Sequence, residues 1–325
     1  MTQVRSVVRS SLSHEERTAT EPRDKDLHPV ILSSIESVNE RIRLFRLAIK
    51  DQRSGIKFLP GQWLDVHVPG LAKAGGFTIT STPRDALPQS SEPEPDQRQS
   101  PFLELAVQES PLNPPAAWLW RPSEEIIGQE LHVRVGGSFV WPPPGVNANE
   151  THRVVFIAGG VGINPLISIV SHIRQTNVPL DHIRFLYATK VAQYQSIAAD
   201  ILFLSRLLRI FQSAVSESPQ NGDEEKGRLE LYLTGEDSGR LSFSDISNNS
   251  PDEKDGFKTE DTTFHKYPRR IKDDDLQRAL GPNKQARESS LYYVCGPPEM
   301  TDYIVEYIKK QDSVAPERVL CEKWW

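Results

Sequence analysis

The run Val154-Val155-Phe156-Ile157-Ala158-Gly159-Gly160-Val161-Gly162-Ile163-Asn164-Pro165 narrows what this chain can fold into more than any other stretch. The apolar residues 154–158, ended by two glycines, are too few for a typical helix and read as a strand buried on both faces; helical spacing takes over from Pro165 to residue 175. Pro165 suits the first helical position, where a missing N–H costs nothing, which makes Asn164 the N-cap. Gly160 and Gly162 have no Cβ, so an anion can approach free backbone N–H groups and the positive end of the helix dipole. The turn alone has two readings: a seat for a pyrophosphate, or a glycine turn that only packs a helix on a strand.

The rest of the chain bounds the choice. Its 325 residues give room for two domains. A net charge of −6 and a pI near 5.8 exclude a broad nucleic-acid surface. No apolar run reaches membrane-spanning length, so no transmembrane segment is expected. Cys295 and Cys321 alone cannot ligate an iron–sulfur cluster or a Cys-rich zinc site, so no metal is expected; Cys321 in particular reads as a small buried hydrophobe. Two cysteines without a secretory signal point to a cytoplasmic or mitochondrial protein that is not secreted. Residues 1–28 read as a disordered tail. Residues 1–13 carry arginine and serine but no acid, as organelle transit segments do, but Glu15, Glu16, Glu21 and Asp24 follow closely.

Residues 29–141 show short strands at 30–38, 42–49, 62–68, 77–81, 102–108 and 131–136, separated by Pro- and Gly-bearing turns, which predicts a small antiparallel β-barrel. The stretch 87–101 reads as a mobile polar loop, and 116–120 as a short helix capped by Asn113. Three consecutive prolines open a linker at 142–149. From 150 the order becomes strand 154–158, helix 165–175, strand 183–188, helix 195–211, strands 229–233 and 291–295, helix 299–310 and strand 318–322. That alternation predicts an α/β doubly wound parallel sheet, whose ligands lie at the carboxyl ends of the strands, where 159–164 and Gly296 fall. The polar tract 216–288 reads as a surface insertion without a core apart from a helix at 273–280.

Four ordered signatures resemble the ferredoxin–NADP reductase-like flavoproteins: Gly61-Gln62-Trp63 beside Gly75-Gly76-Phe77-Thr78-Ile79-Thr80-Ser81; Gly159 to Pro165; Cys295-Gly296-Pro297-Pro298-Glu299-Met300; and Glu322-Lys323-Trp324-Trp325. The resemblance covers 29–325 and implies an FAD-binding barrel at 29–141 and an NAD(P)H-binding domain at 150–325. It implies that FAD is held by Trp63, Gly76, Phe77, Thr78, Ile79 and Thr80. NAD(P)H is expected across Gly159, Gly160, Val161, Gly162, Ile163, Asn164 and Pro165, and across Cys295, Gly296, Pro297, Pro298, Glu299 and Met300. Thr78, Cys295, Glu322 and Trp324 are expected to flank the hydride path, with Trp325 beside them. An aromatic stack contributes only about 0.5–1.5 kcal/mol beyond its buried area, so a terminal tryptophan over the flavin can give way to nicotinamide. No acid follows strand 183–188 to take a ribose, and Lys190 stands there instead, which leans the choice toward NADPH.

Two positions depart from the family pattern. Gly75 stands where the family has an arginine on the FAD pyrophosphate, and Ala116, after Pro114-Pro115, where it has a serine on the phosphate-facing helix. Each lost charge-assisted bond weakens binding roughly 10- to 100-fold, unless Lys73 or Arg84 substitutes. The implied function is an NAD(P)H-dependent flavin oxidoreductase that serves a separate electron acceptor. The second reading is a flavin-free NAD(P)H-binding sensor or scaffold.

Overall fold

The computed structural model describes residues 13–88, 100–191, 200–212, 226–235 and 264–323. Most of the loop expected at 87–101, the start of the helix expected at 195–211, and both Trp324 and Trp325 lie outside the described residues.

The amino-terminal stretch expected to be disordered is ordered from residue 13. It opens with α1 (His14–Arg17), where Ser13 and Glu16 form a reciprocal capping box. Six strands then make one antiparallel sheet among the described residues: β1 (His28–Asn39), β2 (Ile42–Ile49), β3 (Trp63–His67), β4 (Gly75–Thr78), β5 (Phe102–Gln108) and β6 (Glu130–Gly136). Their order is β4-β3-β6-β1-β2-β5, and the ends approach only through a bridge from Ile79 to Leu105, so the sheet is barrel-like without being closed. Residues 79–81, expected in a strand, continue from β4 outside any named strand. Inward residues such as Leu32, Phe45, Leu64, Leu105 and Val133 fill the core, each contributing about 1.5–3 kcal/mol by leaving water. The helices α2 (Pro114–Leu119) and α3 (Ser123–Ile126) lie between β5 and β6, and Asn113 caps α2 without a side-chain bond.

The second sheet is parallel, in the order β10-β9-β8-β7-β11-β12. It is built from β7 (Arg153–Gly159), β8 (His182–Lys190), β9 (Gly227–Thr234), β10 (Phe264–Tyr267), β11 (Ser290–Gly296) and β12 (Val319–Lys323). All of β7 is buried, as a central strand covered on both faces requires. One face carries α4 (Ile163–Gln175) and α5 (Leu204–Gln212), the latter through Leu204, Leu207, Leu208 and Phe211 at helical spacing. The other carries α6 (Asp273–Leu280) and α8 (Pro298–Lys309), with α7 (Lys284–Glu288) leading into β11.

The tract 216–288 is therefore more than a coreless insertion. Besides the strand and helix expected at 229–233 and 273–280, present as β9 and α6, it supplies β10 and α7, and Leu276, Ala279 and Leu280 are buried beside Tyr232. Its charges explain the misreading. Asp275, fully buried, accepts from Arg269 and Arg278, while Glu230 accepts from Tyr232 at 2.6 Å and from Arg228 at 2.9 Å. Paired in this way, buried charge holds the sheet edge in a segment that hydropathy alone marks as solvated.

Candidate functional site

After β7 the chain makes one 3-10 turn over Gly160–Gly162, and α4 begins at Ile163. Asn164 is consequently not the N-cap. Gly162 takes that position without a side-chain bond, and Pro165 is the third helical residue. Because β7 neighbours β11, with Ala158 opposite Cys295, the two glycine-bearing turns meet at the carboxyl edge of the sheet. A Cβ on Gly159 would lie 2.7 Å from both Met300 Sδ and Pro297 Cδ, and one on Gly162 would lie 2.6 Å from the Gly296 nitrogen. Both positions demand glycine for close approach. Gly160 differs, with φ +53° and no atom within 4 Å of where its Cβ would stand. The rim is open: Pro297 and Glu299 are exposed, and Gly160, Val161, Pro298 and Met300 are partly so.

Other expected nucleotide residues fall around this edge. Lys190 is exposed at the end of β8. Glu322, on β12, stands in register with Cys295. Cys295 is fully buried, and burial pushes its thiol well up, so it is a neutral packing group whose backbone, rather than its sulfur, borders the glycine turn. Cys321 is exposed, against the expectation of a buried hydrophobe, because it stands on edge strand β12.

Helix α4 does two jobs. Asn164 Nδ2 donates to the Ala106 carbonyl at 2.9 Å, and Ser168 Oγ, one turn later, donates to the Ser81 carbonyl at 2.7 Å. Both acceptors belong to the barrel half. Arg206 of α5 adds a clamp, donating to Glu104 Oε1 at 2.9 Å and to the Thr80 carbonyl at 3.2 Å, while Thr80 Oγ1 donates to the same Glu104 at 2.7 Å. A shared core completes the junction, with Phe139, Trp141 and Tyr293 clustered together and Tyr293 donating to the Val140 carbonyl at 2.9 Å.

The β3–β4 register separates residues expected to act together. Trp63 faces Thr78 and Asp65 faces Gly76, so these four share one side of the sheet; Leu64 with Phe77 and Val66 with Gly75 share the other. Phe77 packs into the barrel core, 8% exposed, beneath Pro115 of α2. Thr78, Ile79 and Thr80 are also buried. Trp63 is not beside Phe77 as a flavin platform would need.

Instead, Trp63 is enclosed by the amino-terminal segment, a feature that sequence reasoning missed. His14 stands edge-on to its ring at 4.6 Å between centroids, Arg23 lies over it at 4.9 Å, and Cβ atoms on Gly136 or Gly137 would come within 2.6 Å of it. The segment is fastened by a buried charge. Asp65 lies 3.0 Å from His14 Nε2, 3.0 Å from Arg23 Nε and 2.7 Å from Arg134 Nη2. Burial alone would raise the Asp65 carboxyl; His14, Arg134 and Arg23 together hold it well below the usual carboxylate range. Backbone bonds from Asp24 to Val135 and from Gly137 to Pro22 complete the strap. Gly76 is glycine because the His14 ring occupies the space above it. The one sequence signal was the capping pattern Ser13-x-x-Glu16.

An FAD group fits these residues in part. For a flavin ring, β4 carries the aromatic Phe77 and the hydroxyl of Thr78 on opposite faces, both buried, so the two do not converge on one surface. For a diphosphate it offers no matching charge: a Cβ on Gly75 would lie 2.6 Å from both Phe77 Cε2 and Pro115 Cβ, and α2 begins with two prolines that have no N–H. Lys73, one proposed substitute, is 3.6 Å from Glu16 of α1, and Arg84, the other, is exposed in the turn 83–86.

The barrel-like antiparallel sheet, the parallel nucleotide-type sheet and the paired glycine turns define the fold of the ferredoxin–NADP reductase-like proteins. Solved structures share it. The ferredoxin reductase of carbazole 1,9a-dioxygenase aligns with a TM-score of 0.57 and 15% identity over 92% of this chain and 70% of its own. The cytochrome b5 reductase domain of Ulva prolifera nitrate reductase aligns at 0.55 and 17%, over 92% and 98%. A Neisseria gonorrhoeae ferredoxin–NADP reductase with bound FAD and NADP aligns at 0.55 and 13%, over 92% and 99%. In sequence, the particular relatives are those to which the GGFTITS and EKWW forms point, named oxidoreductase NAD-binding domain-containing protein 1. The Xenopus tropicalis protein is 29% identical over 328 residues, 98% of this chain and 85% of its own length, and the human protein 28% over 321 residues, 96% and 84%. The reductase component of a propane 2-monooxygenase from Rhodococcus jostii is 27% identical over 227 residues, 63% of this chain and 55% of that protein. No protein-family model matches the chain. Among the described residues no helix is long and apolar enough to cross a membrane, and no group of His, Cys, Asp and Glu could hold a metal.

Proposed function

We propose that this chain is an electron-transferring NAD(P)H oxidoreductase of the ferredoxin-reductase type that passes hydride from a nicotinamide nucleotide to a flavin and serves a separate acceptor. The class is that of its named relatives and structural neighbours, and FAD and NAD(P)H are the cofactors they support. The observation that carries the reading is the meeting of Gly159–Gly162 with Cys295-Gly296 at the carboxyl edge of adjacent parallel strands, with Gly160 facing open space. Backbone approach and the α4 dipole favour a pyrophosphate there.

The chain's own task is orientation. Asn164 and Ser168 fix the start of α4 against the barrel, so a nucleotide seated on the turn is held at a set distance from β4. A bound flavin would supply the acceptor of two electrons and their release one at a time. Cys295, neutral and buried, shapes the pocket floor and takes no covalent part. Lys190 favours the 2′-phosphate of NADPH by charge.

Visible spectra of the purified protein, recorded anaerobically with NADH and with NADPH, test this. Bleaching of bound or added flavin, faster with NADPH, is expected. Protein that binds nucleotide, stays colourless and takes up no added flavin would refute the flavin step and leave the sensor reading.

A further inference from the structure

The amino edge of the parallel sheet lies at the far end of β7 and β11 from the glycine turns, about 20 Å away along the strands, and it gathers charge that the proposed reaction does not use. Arg153 opens β7 in register with Ser290. Arg287 belongs to α7, just ahead of β11, and Arg318 ends the 3-10 turn Pro316–Arg318, one residue before Val319, which pairs with Tyr292. Three separate elements thus bring guanidinium groups around one phenol. Tyr292 is fully buried and donates to the Leu280 carbonyl at 3.1 Å. Burial pushes its hydroxyl up, while Ser290 and the charges of Arg153, Arg287 and Arg318 act against that, so all three cations bear on the same spot. Arg153 is already engaged, donating to the Ala279 carbonyl at 3.1 Å at the end of α6. The open donors belong to the other two. Arg287 Nε and Arg318 Nη1 are buried with no hydrogen-bond acceptor among the described residues. Arg318, its side chain 13% exposed, meets Glu150 at 4.0 Å, and that carboxylate is 68% exposed.

We propose that Arg287 and Arg318, backed by the charge of Arg153, form an oxyanion site at the amino edge of the parallel sheet that takes a phosphate group. A guanidinium keeps its charge at every working pH and presents a planar fork of N–H donors, so two of them with open, water-excluded donors call for an acceptor that several donors can share. Cations gathered in one buried place repel one another, and an anion between them removes that cost while filling the empty donor positions. A tetrahedral dianion suits two forks better than a single carboxylate does, because it offers more acceptor oxygens and balances both charges. The site shares no residue with the glycine turns.

Isothermal titration of the full-length protein with inorganic phosphate, at an ionic strength held constant with chloride, tests the proposal without flavin or turnover, so it stands or falls apart from the proposed reaction. Saturable binding is expected, weakened at least tenfold by Arg287→Gln and by Arg318→Gln, since one charge-assisted hydrogen bond is worth roughly a 10- to 100-fold change in Kd. Gly160→Ala, which obstructs the glycine turn, is expected to leave it unchanged. Native protein that takes up no phosphate would overturn the proposal whether or not the arginine variants fold. Binding that both arginine variants retain, or that Gly160→Ala weakens instead, would overturn it as well, the latter by placing the phosphate on the glycine turn. Glycerol 2-phosphate, titrated in parallel, separates the sources of the group. An ester that binds as tightly as the free ion, and loses affinity in the same two variants, identifies a phosphorylated compound as the ligand; an ester that binds at least tenfold more weakly identifies inorganic phosphate.

Discussion

Gly76→Ala separates two roles for a glycine that lies inside the flavin-type motif. A methyl group there would lie 2.5 Å from His14 Nε2 and nearer still to its Cε1 and Nδ1, so the imidazole must leave. Its departure loses the approach to the Asp65 carboxylate at 3.0 Å, about 1.5–3 kcal/mol for a bond to a charged group, and the edge-on packing on Trp63, about 0.5–1.5 kcal/mol. The expected destabilisation is about 2–4 kcal/mol, measured by urea unfolding. His14→Ala alone removes the same contacts and is expected to cost about as much. The double variant decides the matter. With His14 gone, the added methyl meets no ring, and Ala in a strand is no worse than Gly, so Gly76→Ala is expected to add less than about 0.5 kcal/mol in that background. The coupling between the two sites is then about 1.5–4 kcal/mol. Additive costs, or a double variant that is stable yet has lost flavin affinity, would refute the account of Gly76 as the seat of His14.

Two further outcomes are expected. Gly160→Ala places its Cβ in open space at a positive φ, costing about 1–2 kcal/mol, while it obstructs whatever docks on the turn; NADPH binding followed by nucleotide fluorescence is expected to weaken at least tenfold in a folded protein, and unchanged binding would remove the turn from the site. For Asp65 the folded carboxyl titrates below its unfolded value of about 3.9, so its stabilisation is complete above that value and is lost as pH falls below it toward the folded pKa. Between about pH 5 and pH 2 the native chain is expected to lose stability more steeply than Asp65→Asn, and parallel urea midpoints would contradict that.

Long apolar runs made the second sheet legible: β7 and β11 are buried along their whole lengths, so their residues could hardly read otherwise. The glycine turn was legible because close backbone approach leaves no other residue type. What escaped was chemistry hidden by charge. His14, Arg23 and Asp275 sit in polar stretches, Asp65 and Glu230 interrupt apolar strands, and only three-dimensional pairing shows what these charges hold. The opposite placement of Trp63 and Phe77 also escaped, since facing depends on the register between β3 and β4, which neither strand states alone. The start of α4 was misplaced because Pro165 is tolerated anywhere in the first turn.

The first two turns of α4 face two ways, toward the glycine edge and toward the carbonyls of Ala106 and Ser81. The prolines at 142–144 therefore do not mark a place where this protein can be cut into exchangeable modules. A chimera joining its second half to a foreign barrel would inherit an asparagine and a serine with nothing to hold, and the position of the nucleotide would be the first thing lost. In this architecture the cofactor-binding half carries part of the other half's address.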